Sequence, residues 1–337
     1  MFRDVVTPDM TAEDWPELRR KVYKRVMRSM GTAPDIKIAP WYEIIEEYEN
    51  YGLHHLKIRY RVLPEENGLA VIVLPKKVNK THPVPAVLCC HGSDVKNGKY
   101  NVLSTEHKGL AYRAYAIDLA ERGFVTVSAD LYGFGELLTQ GDKNSAANID
   151  HRYEESAKNF YKNNPCWSLN GRMVWDHQRL LDVLQTIDYI RPEKFGIIGT
   201  SLGGLTAYYV SALDERVFAS VPIMGFDTAI IRAYYDVSVK LQPQIRAHCL
   251  KNHGEIPCDV QDMIALNAPR PLFNIDSYND HCNYYFSAIF QCCAKGQHVY
   301  KLLGKPECFC TLMHGDGHGM LDDTREYAYR WLERWLK

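Results

Sequence analysis

The stretch Phe195–Leu205 reads FGIIGTSLGGL, an apolar run followed by one serine set among Gly199, Gly203 and Gly204. Glycine costs a helix about 1 kcal/mol per site relative to alanine, so this density needs a backbone reason. A strand over Phe195–Ile198, a sharp turn at Thr200–Leu202 and a helix over Leu202–Leu213 supply one. Gly199 and Gly203 then flank the serine in the pattern G-x-S-x-G, here G-T-S-L-G, and Gly204 lets the helix start lie close to the sheet. Strand, tight turn and helix in that order form a nucleophile elbow, which exposes a serine hydroxyl above the sheet at the positive end of a helix. The competing reading, a phosphate-binding glycine loop, lacks the lysine that should follow it.

Short apolar runs of the same kind recur from Pro85 onward: AVLCCHG, FVTVSAD, FASVPIMG and RPLFNID, each bounded by Gly, Pro or Asp. Helical patterns lie between several of them, such as Arg172–Ile190 with Leu180, Leu181, Leu184, Ile187 and Ile190 on one side. Buried strands alternating with amphipathic helices predict an α/β fold with a mostly parallel, doubly wound sheet. Upstream, Leu18, Val22, Val26 and Met30 mark one stripe of a surface helix. Leu56, Ile58, Tyr60 and Val62 alternate, and LAVIVLP follows Gly68, which together read as an antiparallel hairpin. The C-terminal DDTREYAYRWLERWLK aligns Ala328, Trp331, Leu332 and Trp335 as a docking helix. We expect one domain over 1–337, with 1–53 as an N-terminal helical extension.

Residues 136–171 form a polar, Asn-rich connection too long to be a plain one. They read either as a lid or pocket wall or as a solvated insertion. Asn144, Asn148, Asp150, His151, Arg152, Asn159, Asn163 and Asn164 are interleaved with Tyr153, Phe160, Tyr161 and Trp167. As a pocket wall, that mixture would suit a hydroxyl-rich ligand and a short acyl chain.

A serine nucleophile needs a base and a group to orient it, and in this topology they follow in the order Ser, Asp or Glu, His. After the elbow, RPLFNIDSYNDHC offers Asp276 at a strand end and Asp280 on the loop beyond. CFCTLMHGDGHGM offers His314 directly after a strand and His318 on a loop. Loop position favours Asp280 and His318 beside Ser201. Oxyanion donors are expected from the backbone N–H of Leu202 and from the HGSD loop, at Ser93 with Asp94 as the alternative. His91 reads as structural. His314 and His318 have metal-like spacing only on a helix, which Gly315, Gly317 and Gly319 oppose.

A formal charge of −1 gives no footprint for nucleic acid or for a polybasic membrane patch. No apolar run approaches the roughly 18 residues of a membrane span, and the N-terminus lacks the apolar core of a secretory signal. Ten cysteines include the adjacent pairs Cys89–Cys90 and Cys292–Cys293 but no C-x-x-C. These features predict a reducing, cytoplasmic setting, no cofactor and no metal.

The chain resembles the dienelactone hydrolase and acetyl xylan esterase-like branch of the α/β-hydrolases. The resemblance runs from about Pro85 onward and rests on PAVLCCHG, LAERGFVTVSADLYGFGE, VWD, GTSLGG, ALDERV, APRPL and GHG in that order. It implies the α/β-hydrolase fold and ester hydrolysis without a cofactor. The family register, counted from Arg270, lands the orienting carboxylate on Asp280, and the histidine after a glycine near the end lands on His318. Dienelactone hydrolases proper use cysteine where this chain has Ser201, which points to the esterase kind. The expected substrate is a small or sugar-like ester, with oligomeric state open. Two alternatives are a serine peptidase of the prolyl oligopeptidase type, which would need a large N-terminal propeller, and a non-catalytic ligand-binding homologue, which would be expected to lack a triad member.

Overall fold

The structure, a computed structural model, describes residues 7–105, 113–138, 154–228, 241–282 and 286–337. Its strands, numbered in chain order, are β1 (Tyr42–Asn50), β2 (Leu53–Leu63), β3 (Glu66–Leu74), β4 (Val84–Cys90), β5 (Val125–Ala129), β6 (Ile190–Thr200), β7 (Val217–Ile223), β8 (Leu272–Ser277) and β9 (Phe309–His314). They form one sheet in the order β1-β2-β3-β5-β4-β6-β7-β8-β9. The first three pairings along that order are antiparallel, and every pairing from β5 to β9 is parallel. The parallel strands therefore all end at one edge of the sheet, where ligands bind in open α/β folds.

Both faces of the sheet are covered, as a parallel sheet requires. Along β4, Ala86, Leu88 and Cys90 enter one core while Val87 and Cys89 enter the other, the period-two alternation of a strand. The first core is closed by α1 (Trp15–Met30), α4 (Leu169–Leu184), α5 (Leu202–Leu213), α7 (Val260–Asn267) and α8 (Phe286–Leu302). The second is closed by α2 (Tyr115–Glu121) and α9 (Asp322–Leu336). Two further helices are α3 (Glu154–Asn163) and α6 (Pro243–Lys251). All ten cysteines are free thiols. No helix among the described residues is long and apolar enough to cross a membrane.

Three expectations change. The segment 1–53 is not only helical, since it also contributes β1 at the sheet edge. That strand is solvated on both faces, with Ile44 and Ile45 adjacent rather than alternating, so it carries no apolar period to read. The helix expected over Arg172–Ile190 ends at Leu184, and Ile190 opens β6 instead. Within 136–171, residues 139–153 lie outside the described residues. Phe160 and Trp167 do not offer open aromatic faces, because both are buried in the core. Phe160 packs edge-on against Tyr132 and Tyr161, and Trp167 meets Trp175.

Candidate active site

Ser201 is the whole of the turn between β6 and α5, with φ 60° and ψ −121°. A positive φ at a residue with a Cβ costs on the order of 1–3 kcal/mol and persists only where its surroundings impose it. Here they do. Ser201 N donates to Ile223 O at 2.8 Å, and Leu205 N donates to Ser201 O at 2.9 Å. The motif glycines let α5 approach the sheet: a Cβ on Gly203 would strike the Cys90 carbonyl, and one on Gly204 would lie 2.9 Å from Gly225 Cα.

The loop after β4 runs beside the elbow. A Cβ on Gly92 would stand 3.7 Å from Ser201 Cβ. His91, fully buried, clamps this loop: Leu131 N donates to its Nε2 at 3.1 Å, so Nδ1 carries the proton and donates to Gly92 O at 2.7 Å. Burial pushes its pKa down, in keeping with a neutral ring. His91 is thus a structural residue. Asp94 N donates to Gly92 O at 2.8 Å, which commits the alternative oxyanion donor to a turn. Leu202 N–H belongs to the first turn of α5, where a helix leaves its N–H groups without intrahelical acceptors.

Farther along the same edge, Lys99 and Asp130 pair at 2.6 Å with neither side chain exposed. Lys99 also meets Glu136, whose other oxygen pairs with Lys57 at 2.7 Å. Asp130 additionally accepts from the backbone of Lys99 at 2.8 Å and of Glu136 at 3.2 Å. This cluster ties the loop after β4 to the one after β5.

The loops after β8 and β9 bring Asp280 and His318 together, with Oδ2 and Nδ1 2.6 Å apart. Cys282 N donates to Asp280 Oδ1 at 2.8 Å. Burial alone would raise the Asp280 pKa, but these hydrogen bonds hold it below the ordinary carboxylate value. Asp276 does the opposite. It is buried in β8, accepts from Asn274 at 2.9 Å, and burial together with nearby Asp280 and Asp227 raises it to about 7. His314 turns to Asp316, whose N–H its Nδ1 accepts at 3.2 Å. Asn279, which sequence reasoning passed over, joins the two loops: its Nδ2 donates to Gly315 O at 2.6 Å and its Oδ1 accepts from Gly317 N at 2.9 Å.

Ser201, Leu202 and Ser93 thus sit at the ends of β6 and β4, and Asp280 and His318 at the ends of β8 and β9, all on one edge. Two strand spacings, about 10 Å, separate the axes of β6 and β8, and His318 lies on a loop rather than in the sheet. Among the described residues, one group of metal-competent atoms lies within 4.8 Å of one another, on Asp280, Cys282 and His318. Spacing along the chain gave no sign of this group, because the fold assembles it from two loops.

The Abhydrolase family matches residues 3–300, and the chain belongs to that family of α/β-hydrolases. The protein named as the hydrolase YtaP of Bacillus subtilis (strain 168) is 25% identical over 330 residues, covering 95% of this chain and all of that one. Among solved structures, a glucuronoyl esterase from Solibacter usitatus superimposes with a TM-score of 0.73 at 14% identity, over 99% of this chain and 97% of its own. A protein described as an acetyl xylan esterase from Bacteroides fragilis NCTC 9343 gives 0.69 at 17% identity, over 93% and 79%.

Proposed function

We propose that residues 1–337 act as one serine carboxylic ester hydrolase domain, with Ser201 as nucleophile, His318 as base and Asp280 as its orienter. The observation that carries this reading is the 2.6 Å bond between Asp280 and His318 on the sheet edge that also holds the strained Ser201. With Nδ1–H donated to Asp280, His318 Nε2 is the acceptor that takes the Ser201 hydroxyl proton. Oγ then adds to the ester carbonyl. The tetrahedral oxyanion accepts from the N–H groups of Leu202 and Ser93. Collapse expels the alcohol, which takes the proton from Nε2 and leaves an acyl-serine. Water repeats the sequence and releases the acid.

For the substrate we propose a short-chain acyl ester of a small or sugar-like alcohol. The support is twofold: fold neighbours are named for glucuronoyl and acetyl xylan esters, and the loops around the Asp280–His318 pair are polar, with Asn279, His281 and Asp316. The buried Phe160 and Trp167 contribute nothing to this choice. Profiling p-nitrophenyl esters from acetate to octanoate, with acetylated sugars and glucuronate esters alongside, tests it. Short chains and sugar esters should give the highest kcat/KM. A steady rise toward octanoate with no response to sugar esters refutes the polar-substrate reading. Ser201→Ala should lose on the order of 10⁵–10⁶ in kcat and all labelling by a serine-directed phosphonate; labelling that survives refutes the nucleophile.

A further inference from the structure

Two donor side chains border the Asp280–His318 pair and have no part in the hydrolytic route. Cys282 is exposed, and its thiol belongs to the group of ligand atoms lying within 4.8 Å of one another. His281 is also exposed, with Nδ1 3.9 Å from Asp280 Oδ1 and its ring edge-on to that of His318, centroids 5.5 Å apart. One carboxylate, one thiol and two imidazoles make the ligand chemistry of Zn²⁺, a borderline-soft cation that takes S, N and O donors tetrahedrally.

We propose that Asp280, His281, Cys282 and His318 form a binding site for a Zn²⁺-type cation, and that its occupancy switches the hydrolase off. The inhibitory part rests on the function proposed above for Asp280 and His318. Bonds of about 2.0–2.3 Å around a tetrahedral ion place ligand atoms roughly 3.3–3.8 Å apart. For Asp280, Cys282 and His318 the observed spread therefore needs a closure of about 1 Å, and His281, exposed beside Asp280 and outside that 4.8 Å group, swings in as the fourth ligand. Asp280, His281 and Cys282 are consecutive, so one turn supplies three ligands and the loop after β9 supplies the fourth.

Binding consumes the pair. The thiol releases its proton to solvent and coordinates as thiolate. Asp280 gives the metal an oxygen that now receives a hydrogen bond, and His318 Nδ1 gives it a lone pair once its proton has moved, through solvent, to Nε2. The imidazole can no longer be both held by Asp280 and open to Ser201. Mg²⁺ and Ca²⁺ prefer all-oxygen shells and should not inhibit.

The test uses the full chain with ZnCl₂ and CoCl₂. Zn²⁺ should abolish ester hydrolysis, EDTA should restore it, and MgCl₂ should have no effect. Cys282→Ser should keep the basal rate within a few-fold while raising the Zn²⁺ needed for half-inhibition on the order of tenfold or more, and His281→Ala should raise that Zn²⁺ requirement as well, measured relative to its own uninhibited rate. Co²⁺ should give a thiolate charge-transfer band in the near ultraviolet that Cys282→Ser removes. Inhibition unchanged in Cys282→Ser, or a band that persists in it, overturns the site. A band lost in Cys282→Ser from a protein without esterase activity leaves the cation site standing and overturns the hydrolase reading, and inhibition with it.

Discussion

Asp276 and Asp280 stand on either side of the turn that leaves β8, and their environments push them in opposite directions. Asp280 is bonded by His318 and by Cys282 N–H and kept ionised, whereas Asp276 is buried, accepts from Asn274, lies near Asp280 and Asp227 and is raised to about 7. Two nearby carboxylates held apart in this way serve different purposes. Asp280→Asn should therefore cost on the order of 10⁴ in kcat by stranding the imidazole in the wrong tautomer. Asp276→Asn should cost far less. Steady-state kinetics on a short-chain ester decide it, and a reversal of the two effects would reassign the orienting carboxylate.

Asp276 also carries a pH signature. Its pKa rises from 3.8 to about 7 on folding, so between those values the folded protein holds a proton that the unfolded chain has released. Its contribution to stability is complete in acid and drains away as the pH climbs to 7. Asp276→Asn cannot titrate, so its Tm relative to the parent should increase from pH 5 to pH 8. A difference that stays flat across that range would mean the carboxyl is not proton-linked to folding.

Gly203→Ala should damage fold and activity together. The added methyl meets the Cys90 and His91 carbonyls, which are backbone and cannot swing aside. Overpacking costs typically 1–3 kcal/mol, and with main chain on the far side we expect about 3 kcal/mol or more, read from the urea midpoint at constant m. Full stability with full activity would show that α5 has room to move.

Lys99→Met leaves Asp130 buried beside Glu136 without its cation. Breaking a buried pair in this way costs about 3–5 kcal/mol. Adding Asp130→Leu should recover a good part of the loss, because it removes the stranded charge. Urea unfolding of the single and double variants measures this, and additive losses would show that the two residues do not act as a pair.

Much of this architecture was legible in the chain. β4 through β8 announce themselves as apolar runs between breakers, and the elbow glycines read as glycines because only one backbone path explains them. Chain order and loop position singled out Asp280 and His318, which the structure joins by a hydrogen bond. What escaped has physical causes. β1 is solvated on both faces and so shows no alternation. The helical stripe of α4 runs on into Ile187 and Ile190, which are apolar because Ile187 fills the core at the turn after the helix and Ile190 opens β6. Phe160 and Trp167 sit in a polar stretch, yet core burial, not ligand contact, accounts for them. Asn279 and Cys282 matter only once two distant loops meet, and no local period encodes that meeting.

The solvated β1 has one more consequence. It lies at an end of the described sheet, and an end strand offers unpaired backbone groups to any passing strand. Glu43, Glu46, Glu47 and Glu49 line it at close intervals. A second copy approaching edge to edge would meet its own row of carboxylates, and like charges across a strand pair repel. The same glutamates that hide β1 from a reader looking for apolar alternation, paired along the strand with Arg59, Lys57 and His54 of β2, thus put charge on an exposed edge, a device that disfavours edge-to-edge pairing of separate molecules.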